Sequence, residues 1–199
     1  MIELLVVIAV IGVLAAMLLP ALSSARRKAS ALQCMNNLRQ MGTATFLYCD
    51  QSGDYLPFAW YDDPNPKVNS FFALLMPLVY ATEFDGYGDF EISLYACPTR
   101  LKEPLMGTNP KRISYGMNAH NSIEFPDPRT WRLDRPQALM PSSTVMIADI
   151  VDSYNHPPLE TLETYHAGYK HARRANMVFY DGHASAHSLR QTNELVVKF

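Results

Sequence analysis

A chain of 199 residues has room for one domain of ordinary size and one appended element, and its formal charge of −2 is unevenly divided. Residues 1–49 hold Arg26, Arg27, Lys28 and Arg39 against Glu3, a net +3, while the remainder carries 13 basic and 18 acidic side chains, a net −5 that excludes a basic surface for nucleic acid. Three cysteines, Cys34, Cys49 and Cys97, are too few for a disulfide scaffold, and without a C-x-x-C they argue against a zinc ribbon or thioredoxin-type site.

Residues 4–19 (LLVVIAVIGVLAAMLL) contain no charged or strongly polar side chain; with Met1, Ile2 and Pro20 to Leu22 they reach the roughly 20 residues that cross a bilayer core as a helix. Residues 1–22 are therefore read as a transmembrane half-helix. A cleaved signal peptide is the competing reading, supported by Ser23-Ser24-Ala25 and opposed by the acid at position 3 where a basic start is expected. Beyond Pro20 the pattern turns amphipathic, with Leu22, Ala25, Ala29, Leu32, Met35, Leu38 and Met41 recurring every three or four residues, so the helix is expected to continue over 23–48. Pro20 is tolerated there as a kink where the carbonyl it frees finds another partner.

From Cys49 the composition changes. Asp50-Gln51-Ser52-Gly53-Asp54 reads as a turn that opens a head over 49–199. Phe71 to Tyr80 is too short to span a membrane and reads as a buried helix or core segment interrupted by Pro77, and 82–112 is rich in Gly and Pro and reads as loop. Strand patterns come in the last third: Thr144 to Ala148, then Ala175 to Tyr180 and His183 to Leu189 around Asp181-Gly182. Asp-Gly between two strand-like runs predicts a hairpin with a type I′ turn, hence an antiparallel sheet, and the fold class is α+β.

Glu3 is the most informative single position, because an ionised carboxylate in hydrocarbon is costly and by default functional; its partner would be a positive group on a neighbouring copy, or water in the headgroup layer. Asp149, His171, Asp181 and His183 are weak candidates for a divalent cation such as Ca²⁺, set against the simpler reading that Asp181-Gly182 serves the turn alone. The acidic stretch Glu83, Asp85, Asp89 and Glu91 lacks calcium-loop spacing. No G-x-S-x-G, P-loop or H-E-x-x-H occurs, so no enzymatic activity and no cofactor is expected. Trp60, Tyr61 and Trp131 are candidates for a glycan- or protein-facing patch or for loop anchors.

The run Ile2-Glu3-Leu4-Leu5-Val6-Val7-Ile8-Ala9-Val10-Ile11-Gly12-Val13-Leu14-Ala15-Ala16 resembles the N-terminus of type IV pilins and type II secretion pseudopilins, and Glu3 and Pro20 stand 17 apart as in that family. The resemblance implies a prepilin peptidase that cuts before the segment and methylates the new amine. It also implies pairing of Glu3 with a neighbour's amine in a filament, and a kink at Pro20. The basic leader ending Gly-Phe-Thr is expected upstream of Met1, where it would outweigh Arg26, Arg27 and Lys28 in the positive-inside balance and set the head outside. A second resemblance, to prepilin-type proteins with an H-x9-D-G processing-associated motif, rests on Cys34-Met35-Asn36-Asn37-Leu38-Arg39-Gln40-Met41-Gly42, Gly53-Asp54-Tyr55-Leu56-Pro57 and Cys97-Pro98. Ser114-Tyr115-Gly116-Met117-Asn118 and His171 followed after nine residues by Asp181-Gly182 complete it. One bridge with one free thiol is compatible with a head outside the cytoplasm; spacing alone does not choose the pair, and Cys34 with Cys97 is the candidate. The expected function is that of a structural pseudopilin in a secretion-like or pilus-like filament, held by its helix in the inner membrane with the head in the periplasm. Its expected partners are copies of itself, other pseudopilins, an assembly platform and an ATPase. The alternatives are a membrane-tethered binding protein for glycan or protein and a secreted metal-dependent hydrolase.

Overall fold

The computed structural model describes residues 2–57, 70–80, 94–99, 114–118, 140–150, 171–192 and Leu195. One unbroken helix, α1 (Ile2–Ser52), runs through Pro20. Ile2 to Leu22 are exposed: Leu4 is 70% and Met17 71% exposed, and every large apolar side chain in this stretch is at least half exposed.

The second half of α1 docks on the head through Cys34, Asn37, Leu38, Met41, Gly42, Ala44, Thr45 and Cys49. That face differs from the amphipathic stripe read from sequence, whose Leu32 is 67% exposed and whose Leu22 is 50% exposed. At roughly 100° per residue, each three-residue step turns a stripe back by about 60°, so a series spaced mostly by three spirals around the helix. Only its last members, Leu38 and Met41, reach the head.

The helix also runs past the turn expected at Asp50, because the residue that can stop it is Gly53. Gly53 takes φ 70° and the Asp54 N–H returns to the Cys49 carbonyl at 2.8 Å, the closure that ends a helix on a left-handed glycine. Ser52 Oγ donates to the Tyr48 carbonyl at 2.7 Å and satisfies another terminal acceptor.

Against α1 lie the helix α2 (Phe71–Tyr80) and a sheet of β1 (Tyr115–Met117), β2 (Val145–Asp149), β3 (Arg174–Phe179) and β4 (Ala184–Ser188). Pro77 does not interrupt α2; it sits exposed inside it, while Phe71, Phe72, Leu75 and Met76 face the core. The strands pair in the order β1-β2-β3-β4, all antiparallel, with an irregularity between Val145 and Ile147. A short helix, α3 (Leu189–Thr192), follows β4. The product is an α+β, pilin-like arrangement.

Alternation along β3 gives the sheet two apolar faces. Val178 joins the core with Leu38, Met41, Phe72, Tyr95 and Met146, while Ala175, Met177 and Phe179 pack with Val145, Ala148 and Ile150 on the other side. Gly42 marks the closest approach of α1 to the sheet: a Cβ there would lie 3.0 Å from Val178 Cγ2 and 3.6 Å from Met146 Cε.

The β3–β4 hairpin forms around Asp181-Gly182, with a different turn from the expected type I′. Val178 pairs with Ala184 and the Phe179 N–H bonds the His183 carbonyl at 3.0 Å, so three residues, Tyr180 to Gly182, connect the closing pair, and the Gly182 N–H closes on the Phe179 carbonyl at 2.9 Å. Gly182 alone takes positive φ, 85°, as in a type I turn followed by a left-handed residue. A Cβ on Gly182 would meet the Phe46 ring at 3.3 Å, so the hairpin tip rests on α1.

Candidate functional site

The residues of the second resemblance, scattered in sequence, converge on the junction between α1 and the head. Cys34 on α1 and Cys97 are joined by a disulfide across a separation of 63 residues, their Cα atoms 5.4 Å apart, both fully enclosed. In the chain-entropy picture a bridge closing a loop of this length contributes about 4 kcal/mol. Cys49 is free and buried, and burial, with the nearby Asp54 charge adding to it, pushes its thiol up to about 12.

Ser114, Tyr115 and Asn118 hold the junction together. Ser114 Oγ accepts the Cys97 N–H at 2.9 Å, and the Ser114 backbone bonds both the Tyr95 carbonyl and the Ile150 N–H. Asn37 Nδ2 reaches from α1 to Tyr115 Oη at 3.3 Å. Burial, reinforced by Asp149, holds the Tyr115 phenol well above its ordinary value, so it stays protonated. Asn118 closes the far end of β1 by donating from its backbone to Met146 and from Nδ2 to the Val145 carbonyl.

His171 is delivered by a tight turn. His171 and Arg174 exchange backbone hydrogen bonds of 3.2 and 3.0 Å, and Ala172 and Arg173 between them take φ 53° and 63°. Positive φ at both central residues is the type I′ geometry, here carried by two residues with a Cβ at a cost of about 1–2 kcal/mol each. Neither Ala172 nor Arg173 gives a sequence signal for it, since the residues that favour this turn are Gly, Asn and Asp. The turn aims the buried imidazole inward, with Nε2 3.4 Å from Cys97 Sγ and 3.7 Å from Asp149 Oδ2. Asp149, also buried, accepts the Asn176 N–H through the same oxygen at 2.8 Å.

The four cation candidates are thus divided into two pairs. Asp149 and His171 meet at the start of β3, whereas Asp181 and His183 pair with each other beyond its end, six strand residues or about 20 Å away. Asp181 Oδ1 accepts both the His183 N–H and Nδ1, and His183 stacks on Phe179 at 4.2 Å. Partial burial would raise the Asp181 carboxyl, but the His183 bonds outweigh it and leave the group below its ordinary value. Glu3 lies in the first turn of α1, exposed, and Pro20 inside the uncovered half. Trp60, Tyr61, Trp131 and the acids Glu83, Asp85, Asp89 and Glu91 lie outside the described residues.

A cavity of about 560 Å³ opens beside the junction, lined by Ser30, Ala31, Thr99, His171 and Ala172 and, towards the membrane half, by Arg26, Arg27 and Lys28. Residues 23–84 match the family model described as "Protein of unknown function (DUF1559)", a family typical of pilin-like bacterial proteins. The match spans the head-packed half of α1 and α2. No curated protein and no solved structure matches the chain.

A covalent bridge, a glycine contact and the Asn37–Tyr115 bond tie one long helix to the sheet. The sequence pointed to Cys34 with Cys97 as a bridge and to Asp149 with His171 among the cation candidates, but not to the meeting of these two pairs. They lie on four segments separated by as many as 137 positions, and local spacing carries no signal for such a contact.

Proposed function

We propose that this chain is a structural, non-enzymatic pseudopilin, anchored by residues 2–22 in the inner membrane with its head in the periplasm and assembled with its copies into a filament. The observation that carries this reading is that α1 is continuous while only its second half is covered by its own chain. The exposed apolar surface extends past the span expected to lie in lipid: Leu32 is 67% exposed, beyond Arg26, Arg27 and Lys28. Lipid covers the exposed apolar half before assembly, and the matching helix of a neighbouring copy covers it in the filament. In this reading Glu3, exposed in the first turn, meets a neighbour's amine as lipid contacts are exchanged for helix contacts.

The family match over residues 23–84 supports the pilin-like part of this reading. A prepilin peptidase, an assembly platform and an ATPase are the partners it calls for, and secretion is favoured over a surface pilus on the resemblance alone. Replacing Glu3 by Ala tests the assignment. The variant is expected to accumulate in the membrane with its head folded and to be lost from sheared filament fractions. Incorporation equal to the parent chain would remove the assembly role of Glu3 and leave the helix as an anchor for a tethered binding protein.

A further inference from the structure

The imidazole beside the disulfide gives its two sulfurs a third potential donor that neither the fold nor filament assembly requires. Cys34 Sγ, Cys97 Sγ and His171 Nε2 all lie within 4.8 Å of one another, and all three residues are buried. They come from α1, from the segment 94–99 and from the strained turn before β3, so the site is assembled by the tertiary fold. We propose that when the Cys34–Cys97 bond is opened, these three side chains bind one Zn²⁺, so that the tie between α1 and the head is covalent in the oxidised protein and metal-mediated in the reduced one.

The geometry suits zinc. With Zn–S near 2.3 Å and Zn–N near 2.0–2.1 Å, a tetrahedral ion places sulfur and nitrogen ligands about 3.5 Å apart. The observed Cys97 Sγ to His171 Nε2 distance is 3.4 Å. The changes required are separation of the two sulfurs to about 3.8 Å and approach of Cys34 Sγ, now within 4.8 Å of His171 Nε2, to about 3.5 Å, both side-chain adjustments at Cα positions 5.4 Å apart. Two thiolates and an imidazole make a soft donor set that selects zinc over calcium or magnesium. Three protein ligands suit zinc when its fourth position holds water. The carboxylate of Asp149, with Oδ2 3.7 Å from Nε2, adds negative charge beside the ion. The cavity that His171 and Ala172 line gives a path from solvent.

The chemistry balances with a dithiol as reductant. Exchange breaks the Cys34–Cys97 bond, two electrons and two protons pass to the protein thiols, and the dithiol leaves as a disulfide. Zn²⁺ then displaces both thiol protons and binds the thiolates. Oxidation of the two thiolates by a disulfide acceptor re-forms the bond and releases the ion. The ordered turn at Ala172 and Arg173 serves both states, since it holds the imidazole beside Cys97 whether or not the sulfurs are bonded.

The test uses the full chain in detergent, in a Cys49→Ala background that removes the third thiol, titrated with ZnCl₂ or CoCl₂ before and after reduction by a phosphine. The reduced chain is expected to take up one equivalent of zinc and, with cobalt, to show a thiolate-to-metal charge-transfer band; the oxidised chain is expected to take up none. His171→Ala should weaken binding at least 10-fold, and Cys34→Ser with Cys97→Ser should abolish it. If reduction unfolds the head, zinc is expected to restore its circular dichroism and its thermal transition. Uptake of less than half an equivalent by the reduced chain overturns the site, as does zinc affinity unchanged in His171→Ala or a reduced, unfolded head that zinc does not refold.

Discussion

Gly42 gives the most direct test of how α1 docks on the sheet. Two effects compete when it is replaced. A side chain gains helix propensity, on the order of 1 kcal/mol for Ala over Gly in a helix interior. Against this, the new Cβ lies 3.0 Å from Val178 Cγ2, closer than such contacts ordinarily come, and Val178 is fully buried and β-branched with little freedom at χ1. Gly42→Ala should therefore fall within about 1 kcal/mol of the parent. Gly42→Leu adds three further carbons into a packed interface and should cost about 1–3 kcal/mol. Val178→Ala removes the obstructing methyls and by itself destabilises by leaving a cavity, yet in combination with Gly42→Leu it should recover part of both losses. A double-mutant cycle by urea unfolding in detergent, followed through circular dichroism, should give a coupling of at least 0.5 kcal/mol in the direction of rescue. Additivity within about 0.3 kcal/mol would mean that α1 does not meet β3 through these two residues, and the docking described above would fall with it.

At the turn before β3, Arg173→Gly should stabilise the head by about 0.5–1 kcal/mol, because glycine adopts φ 63° without penalty and gives back part of the gain as unfolded-chain entropy; a loss measured by the same urea transition would refute positive φ at that position. Cys49, with its thiol pushed up to about 12 mainly by burial, should resist iodoacetamide at neutral pH in the oxidised native protein and react fully after unfolding; fast labelling of the native chain would contradict its enclosure. His187 lies below its ordinary imidazole value, chiefly from burial and then from His183 and Arg174. Its contribution to stability is therefore present above the ordinary value near 6.5 and is lost as pH falls from there to the lowered native value, so His187→Gln should flatten this part of a pH–stability profile.

The parts of the fold legible in sequence are those with a local cause. The apolar run, the Asp181-Gly182 hairpin and the strand at Val145 are each specified by residues that touch one another along the chain or across one turn. Errors of detail have local causes too. Gly53 rather than Asp50 supplies the left-handed residue that ends α1, and the three-residue hairpin loop needs positive φ only at Gly182. The junction was illegible for a different reason. The strand β1 has three residues, too few for a periodic pattern, and the turn that aims His171 is built from Ala172 and Arg173, whose propensities oppose it. Tertiary contacts hold that turn: its ends bond each other, and the imidazole is enclosed between Cys97 and Asp149.

That enclosure bears on what the shared motifs are for. Cys34, Asn37, Cys97, Ser114, Tyr115, Asn118 and His171 are all buried; Cys34–Cys97 and Asn37–Tyr115 cross the junction, and Ser114, Asn118 and His171 bond other segments of the head beside it. A recognition surface would turn such side chains outward; a coupling device turns them inward. In the filament proposed above, a load applied to the head would reach the uncovered first half of α1 through its second half, which among the described residues is the part packed on the head. A covalent bond near the start of that half, a close-packed glycine midway along it and the hairpin tip on Phe46 near its end distribute the load over more than two helical turns. Loss of one contact is expected to let the helix pivot about those that remain, which would weaken transmission of the load.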